Sequence, residues 1–446
     1  MANPLVGIFR VKELRERIIF TALMLIIFRL GAVLPIPGVN VRELNAYFLS
    51  QQNSGNAIID YLDFFAGGAF SNFSVFMLGI MPYISMSIIM QLLLIVFPRL
   101  KKISQEEGGR KKIQSYQRIG TVAVCLVQSF AVTQYARTIS ASGQGVNLLN
   151  MDIVRFTLIA MLTVTTGTMF LMWIGEQITR RGIGNGISLL IFAGIVARLP
   201  HALWELIGRV RNGDLNLVFV IVVFIMFVAV VALVVFEQQG QRKIPVHYAK
   251  RVVGRRMYGS QSTYIPFKIN PSGVIPVIFA SSILTLPLQI ASTIGGGGGV
   301  PWLEAVSRAL SPDRALYTVL YILLIIFFAY FYTQVSLNPI EIAKNIRENG
   351  GSIPGIRTER IEEYLTRILN RIVLPGSLYL AVIAVLPTII QRLFDFPPSI
   401  SYIMGGTSLL ILVGVDLDTM SQIEALLKMH HHGGLTKKGH LRGRNL

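Results

Sequence analysis

Apolar runs of about 20 residues recur ten times along this chain, and that is the length at which a helix crosses a hydrocarbon core about 30 Å thick. They lie near residues 18–34, 74–97, 119–138, 153–175, 183–202, 215–238, 272–294, 315–337, 370–391 and 400–423. Of the 446 residues, 52% are hydrophobic and 14% charged, a balance that excludes a soluble domain of ordinary make-up. The expectation is an all-α polytopic membrane protein with ten transmembrane helices.

The formal net charge of +18 suggests nucleic acid until the charges are placed on these spans. With both termini cytosolic, 31 of the 41 Lys and Arg residues fall on the cytosolic side and nine on the outer side, with Arg29 inside the first span. That asymmetry satisfies the positive-inside rule and fixes the orientation, so the basic excess is mostly topological. Arg29 is read as snorkelling to the outer surface. Cys125, the single cysteine, lies in the third span and excludes an intrachain disulfide. The stretch VKELRER leads into an apolar run followed by PIPG without a small-x-small site, so the first run reads as a retained span. The preceding NPLVGIFRVKELRERI reads as an interfacial helix with Leu5, Ile8 and Phe9 toward lipid.

Residues 1–446 read as one membrane domain: an N-terminal half, 1–202, with spans one to five; a C-terminal half, 203–423, with spans six to ten; and a basic cytosolic tail, 424–446. An odd number of spans per half makes the second half run upside down relative to the first, the arithmetic of an inverted repeat. An outer loop around ARLPHALWELIGRVRNGDLN joins them, and Gly295 to Gly299 form an outer turn. Two cytosolic loops are too long to be turns, and long ordered loops are usually functional. Residues 239–270 alternate in a way that predicts a projecting β-hairpin around Gly254. Residues 338–369 contain the turn SIPGIR and then ERIEEYLTRIL at helical spacing.

Catalytic chemistry is not legible in the spans. None contains HExxH, and Ser188 lacks an intramembrane His or Lys partner. GIGNG, Gly182 to Gly186, lacks the Lys-Ser/Thr end of a phosphate loop and joins two spans, so it reads as a tight turn. Asp416 and Asp418 lie near the cytosolic end of the last span, facing water. His430, His431 and His432 are consecutive on a tail that reads as flexible, without the geometry of a selective metal site. The chain is expected to be no enzyme and to hold no cofactor or metal.

What remains is apolar or weakly polar. Ile80 and Ile84, like Ile187 and Ile191, are spaced i, i+4 and share a helix face. Ser281, Ser282 and Thr285 form a small polar seam on the seventh span, which Pro276 and Pro287 bend; Ser85, Ser87 and Gln91 form a matching set on the second. Small, mildly polar faces permit close helix contact without strong cohesion. One segment fits neither a span nor a loop: GNAIIDYLDFFAGGAF is too interrupted to cross a bilayer and too apolar for water.

Taken together, FRLGAVLPIPG, FFAGGAF, GIMPYIS, SIIMQLL, GTMFLMWIGEQITRRGIGNGISLLIFAGIV, YAKRVVGRRMYGSQSTYIPFKIN, GVIPVIFASSI, IPGIR and GGTSLLI closely resemble the bacterial SecY family, the central subunit of the protein-conducting channel. The resemblance runs over nearly the whole chain. It implies two inverted five-helix halves forming an hourglass channel in the bacterial cytoplasmic (inner) membrane. Such a channel passes unfolded polypeptides across the membrane and releases transmembrane segments laterally into lipid. An ion-coupled secondary transporter is the alternative, but it predicts charged groups converging at mid-membrane, where isoleucines map instead.

By the same resemblance the odd segment is a plug in the outer funnel, carried onto Ile58, Ile59, Asp60, Tyr61, Leu62, Phe64, Phe65, Gly67, Gly68, Phe70 and Phe73, with Asp60 and Asp63 in contact with outer water. The constriction maps onto Ile80, Ile84, Ile187, Ile191, Ile278 and Ile411. The lateral gate lies between spans two and three and spans seven and eight, where the seams with Ser85, Ser87, Gln91, Ser281, Ser282 and Thr285 stand, and signal peptides and nascent polypeptides leave there. The long loops, through Arg251, Arg255, Arg256 and Arg357, match those that bind the ribosome or the SecA motor ATPase. SecE and SecG subunits and membrane lipid complete the implied partners.

Overall fold

The computed structural model describes residues 11–44, 63, 66–141, 149–213, 216–248, 251–253, 256–258, 262–295, 309–310, 314–394 and 406–437. Its helices in chain order are α1 (Lys12–Val33), α2 (Met81–Val96), α3 (Pro98–Gln105), α4 (Gly109–Ala141), α5 (Ile153–Arg181), α6 (Gly186–Asn212), α7 (Leu217–Gln239), α8 (Ile275–Gly295), α9 (Ala315–Ser336), α10 (Pro339–Glu348), α11 (Ile361–Phe394) and α12 (Gly406–Lys437). Each of the ten apolar runs is occupied by a helix. Among the described residues, five helical stretches, Ile153–Arg181, Gly186–Asn212, Val220–Gln239, Ala315–Glu348 and Thr358–Leu386, are by themselves long and apolar enough to cross a membrane. The pair α2 and α3, bent by 103°, is a sixth candidate, and α8 contributes the shorter apolar stretch Ile275–Thr285.

The chain divides into two compact units, one comprising Met1–Trp204, Gln289–Glu304 and Ile411–Leu446, the other Glu205–Leu288 and Ala305–Leu410. In the first, α4 packs along both α5 and α2, and α1 packs on α5. Rings from three segments stack in series, Phe28 on Phe76 at 6.3 Å, Phe76 on Phe170 at 6.2 Å and Phe170 on Trp173 at 5.7 Å. GIGNG is a turn, as its composition predicts. Gly184 holds φ +80°, which a β-carbon disfavours, and its N–H donates to Gln422 Oε1 on α12 at 2.9 Å. The N–H of Ile183 donates to Thr21 Oγ1 on α1 at 3.1 Å, so a short turn ties two other helices together.

Three boundaries differ from the sequence reading. The second run turns helical only at Met81, because Gly79 holds φ +57° and Pro82 suits the first helical turn, where its missing N–H has no partner to lose. The expected outer loop after span five is helical as far as Asn212, across Pro200. The ion pair Arg209–Glu205, 3.0 Å at i, i+4, supports that extension. The described part of the C-terminal tail, expected to lie beyond the last span, is likewise helical through His430, His431 and His432 to Lys437. The interfacial N-terminal residues, Gly254 and most of the polyglycine turn lie outside the described residues.

In the second unit the two long loops, residues 239–270 and 338–369, form one folded module. Strand β1 (Gln241–Tyr248) pairs antiparallel with β4 (Ser262–Lys268), with Ile244 opposite Ile265, and also with β5 (Gly351–Ser352) from the other loop. Within the hairpin, β2 (Arg251–Val253) pairs with β3 (Arg256–Tyr258). The inward side chains of β1, Ile244 and Val246, meet Phe267, Ala343, Ile346, Ile353, Ile361 and Leu365 in a closed apolar cluster. The two segments, separate in sequence, are thus one small core seated on α10 and α11. Leu365 is fully buried there, so Leu365→Ala should destabilise the module by about 2–5 kcal/mol. Limited proteolysis of membranes should then cut the β1–β4 segment faster while α9 and α11 stay intact, whereas an unchanged cutting rate contradicts a shared core.

Candidate pore and plug elements

The stretch before α2 folds back without helix. From Ala66 to Ile80 the chain runs in successive turns, with Gly67 at φ +65°, Gly68 at φ +88° and Phe73 at φ +43°. Phe73 is the only non-glycine residue with positive φ among the described residues. A strained backbone of this kind persists only where its surroundings over-determine it. Here Phe73 is fully buried, its ring 6.3 Å from that of Phe70, and its carbonyl accepts from Ile36 N at 2.8 Å. The N–H of Val75 donates to Leu34 O at 2.9 Å, so the segment leans on the PIPG corner that follows α1.

Charged groups anchor the other end. Asp63, 5% exposed, forms an ion pair with Arg198 on α6. The same carboxylate accepts from Ser71 N at 2.7 Å, and the Asp63 carbonyl accepts from Gly68 N at 3.0 Å. Arg29 Nη1 on α1 donates to the Gly67 carbonyl at 2.9 Å. Gly67 itself lies against α6, where a β-carbon would stand 2.6 Å from Gly194 Cα, so no larger residue fits.

Two expectations are corrected here. Arg29 does not snorkel outward but is spent on the backbone of the folded-back segment, because that carbonyl is buried and needs a donor. Asp63 does not face outer water but is buried with a counter-ion, since an ionised carboxylate is tolerated there only when paired and hydrogen-bonded. Of the other plug positions, Ile58, Ile59, Asp60, Tyr61, Leu62, Phe64 and Phe65 lie outside the described residues.

The six isoleucines are all withdrawn from the surface to some degree. Ile80 and Ile84 are buried at the start of α2, with Ile84 N donating to Ile80 O at 3.2 Å. Ile191 is buried and Ile187 half-buried in the first two turns of α6; Ile411 is buried on α12 and Ile278 half-buried on α8. Ile278 belongs to the second unit and the other five to the first.

On α8 the polar seam is largely self-satisfied: Ser281 Oγ donates to Ile278 O at 2.9 Å and Thr285 Oγ1 to Ser281 O at 2.6 Å. Ser282 Oγ and, on α2, Gln91 Oε1 are buried without a hydrogen-bond partner among the described residues. Ser85 is buried and Ser87 half-buried. Hydroxyls turned into their own helix leave a smooth face with little cross-helix cohesion.

Arg357 is exposed ahead of a 3₁₀ turn, Thr358–Arg360, in the module formed by the two long loops. Arg251 and Arg256 lie on the hairpin strands, and Arg255 lies outside the described residues. Asp416 and Asp418 are exposed on α12. Sequence reasoning missed Arg198 and the pair Arg118–Glu176, in which Arg118 Nη2 and Nε reach the two carboxylate oxygens at 2.6 and 3.2 Å between α4 and α5. The signal for Arg198 was present as a charge at the end of an apolar run, but nothing local pointed to its partner.

A profile of the SecY family matches residues 74–420. Protein translocase subunit SecY of Borreliella burgdorferi is 45% identical over 442 residues, covering 99% of either chain. A solved SecY structure, described as showing that the SecY plug domain stabilises the closed state of the translocation channel and maintains a membrane seal, superposes with TM-score 0.63 at 20% identity, covering 92% of each chain. Sec61 from a canine ribosome-channel complex superposes with TM-score 0.60 at 18% identity over the same share of each chain. The helices, the folded-back segment and the similarity to a translocase subunit along nearly its whole length converge: this chain belongs to the SecY family.

Proposed function

We propose that this chain is the channel-forming subunit of a general secretory translocase, passing unfolded polypeptides across the bacterial inner membrane and releasing apolar segments sideways into lipid. Identity of 45% over essentially the full length of a protein translocase subunit carries this reading. The family is one of channel subunits, not of enzymes, and the energy for transport comes from a partner or a gradient.

In this reading Ile80, Ile84, Ile187, Ile191, Ile278 and Ile411 form the constriction. An apolar collar dewets when empty and blocks ions, yet it offers a passing chain no hydrogen bonds to hold it. β-Branched side chains have restricted χ1, so the collar widens by helix movement more than by side-chain rearrangement. The segment around Gly67, Gly68, Phe70 and Phe73 closes the outer side as a plug. The weakly cohesive seams on α2 and α8 form the lateral gate, through which signal peptides and nascent helices partition by their own apolarity. Inverted five-helix halves supply the two sides of the path.

The cytosolic module docks the ribosome or the SecA motor through Arg251, Arg255, Arg256 and Arg357. Its folding as one core supports the docking role, because a rigid platform presents charges at fixed spacing. For the ribosome the chemistry is Arg and Lys against RNA phosphate, dependent on salt and largely blind to sequence. SecE and SecG join the assembly, with both termini of this chain in the cytosol.

Deleting residues 60–72 should produce flickering ion conductance when the chain is reconstituted in planar bilayers. A bilayer as silent as that with the parent chain contradicts the plug assignment. Arg357→Ala should lower motor-driven export by about tenfold, as truncation of an exposed anchor does at many interfaces, with membrane yield unchanged. Export at the parental rate removes Arg357 from the docking surface.

A further inference from the structure

We propose that Asp63 and Arg198 form an electrostatic latch that holds the folded-back segment closed against α6. The inference rests on the channel reading above and deepens it by naming residues that position the plug.

The latch is built at both of its sides. Asp63 is buried, and its carboxylate receives the Arg198 guanidinium and the Ser71 N–H together. One acid therefore fixes the near end of the segment to α6 and folds the far end, at Ser71, back over it. Between those points Gly67 lies against the α6 backbone at Gly194, one helical turn before Arg198. A β-carbon on Gly68 would lie 3.6 Å from Arg198 Nε, so the guanidinium stands beside Gly68. Arg29 from α1 holds the Gly67 carbonyl from a different helix. These contacts converge on Asp63 and on residues 66–71, described parts of the segment that, on the channel reading, leaves when a polypeptide enters.

An ion pair suits a closure that has to open. Removing one partner from a buried pair strands the other charge, but releasing both into a water-filled cavity rehydrates both, and the net balance lies near zero. An apolar patch of the same area would resist exposure to water throughout the opening. The pair thus gives the closed state a unique register while leaving it a small free-energy step from the open one. A passing chain then needs only a modest differential affinity to shift the population.

The test uses the full chain reconstituted in planar bilayers, with the 60–72 deletion measured alongside. Arg198→Gln, which strands the Asp63 charge, and Asp63→Asn, which removes that charge, should each raise the open probability of the idle channel by about tenfold or more. The amide introduced by Asp63→Asn retains an oxygen for Ser71 N, so an effect of that variant reports the charge and not the turn. Arg198→Lys should stay close to the parent, and the swap of Asp63→Arg with Arg198→Asp should restore quiet bilayers relative to either single reversal. Helical circular dichroism should match the parent for each variant. Should Arg198→Gln fail to fold, the lysine variant and the charge swap still decide. The latch is overturned if the neutral variants stay silent while the deletion conducts, or if Arg198→Lys opens as far as Arg198→Gln, or if the swap fails to quiet either reversal. A deletion that stays silent points instead to failure of the plug reading itself.

Discussion

Backbone without helix, lying beside membrane-spanning helices, must have its polar groups satisfied by protein, and Ala66 to Ile80 is where this chain meets that requirement. Four positive-φ residues, Gly67, Gly68, Phe73 and Gly79, turn the segment back on itself. The turns free backbone groups that a helix would have paired. Leu34, Ile36 and Arg29 supply partners from the first span and its corner, and Asp63 supplies one from within. Much else follows from this arrangement. Helix α2 can start only at Met81, which sets Ile80 and Ile84 at its buried beginning, and α6 must present a glycine where the segment touches it.

The long loops between spans meet a different problem. Two loops that carry many charges and no span would be mobile if each stood alone, and neither has enough apolar residues for a core. Pairing β1 with both β4 and β5 lets Ile244, Val246 and Phe267 from one loop meet Ile346, Ile353 and Ile361 from the other. The apolar contact is local, yet it fixes exposed arginines on both loops in one frame. Under the proposed docking role, that frame would present charge to a large partner at fixed spacing.

Much of this architecture is legible in the sequence because the bilayer imposes a length and a polarity that twenty residues reveal on their own. The ten runs, the hairpin in residues 239–270 and the turn at GIGNG all follow from such local signals. Failures arose where tertiary partners decide. Arg29 looks like a snorkelling cation until a buried carbonyl is placed beside it. Asp63 and Arg198 each look ready for water, and no local pattern joins a carboxylate before the second span to a guanidinium at the end of the fifth. The segment after residue 202 reads as an outer loop, but α6 continues to Asn212, with the Arg209–Glu205 pair along its last turns. For the pore positions the isoleucine spacing conveys only a shared face; the family resemblance supplied their role.

The channel reading stands or falls on whether the six isoleucines surround one path. A photoactivatable residue placed at each position in turn, in a channel holding a polypeptide arrested midway, tests this directly. All six should couple to the same short stretch of the arrested chain, since a constriction one residue layer deep meets only a few residues at a time. Coupling to lipid, or to stretches of the polypeptide far apart in its sequence, would contradict a common collar.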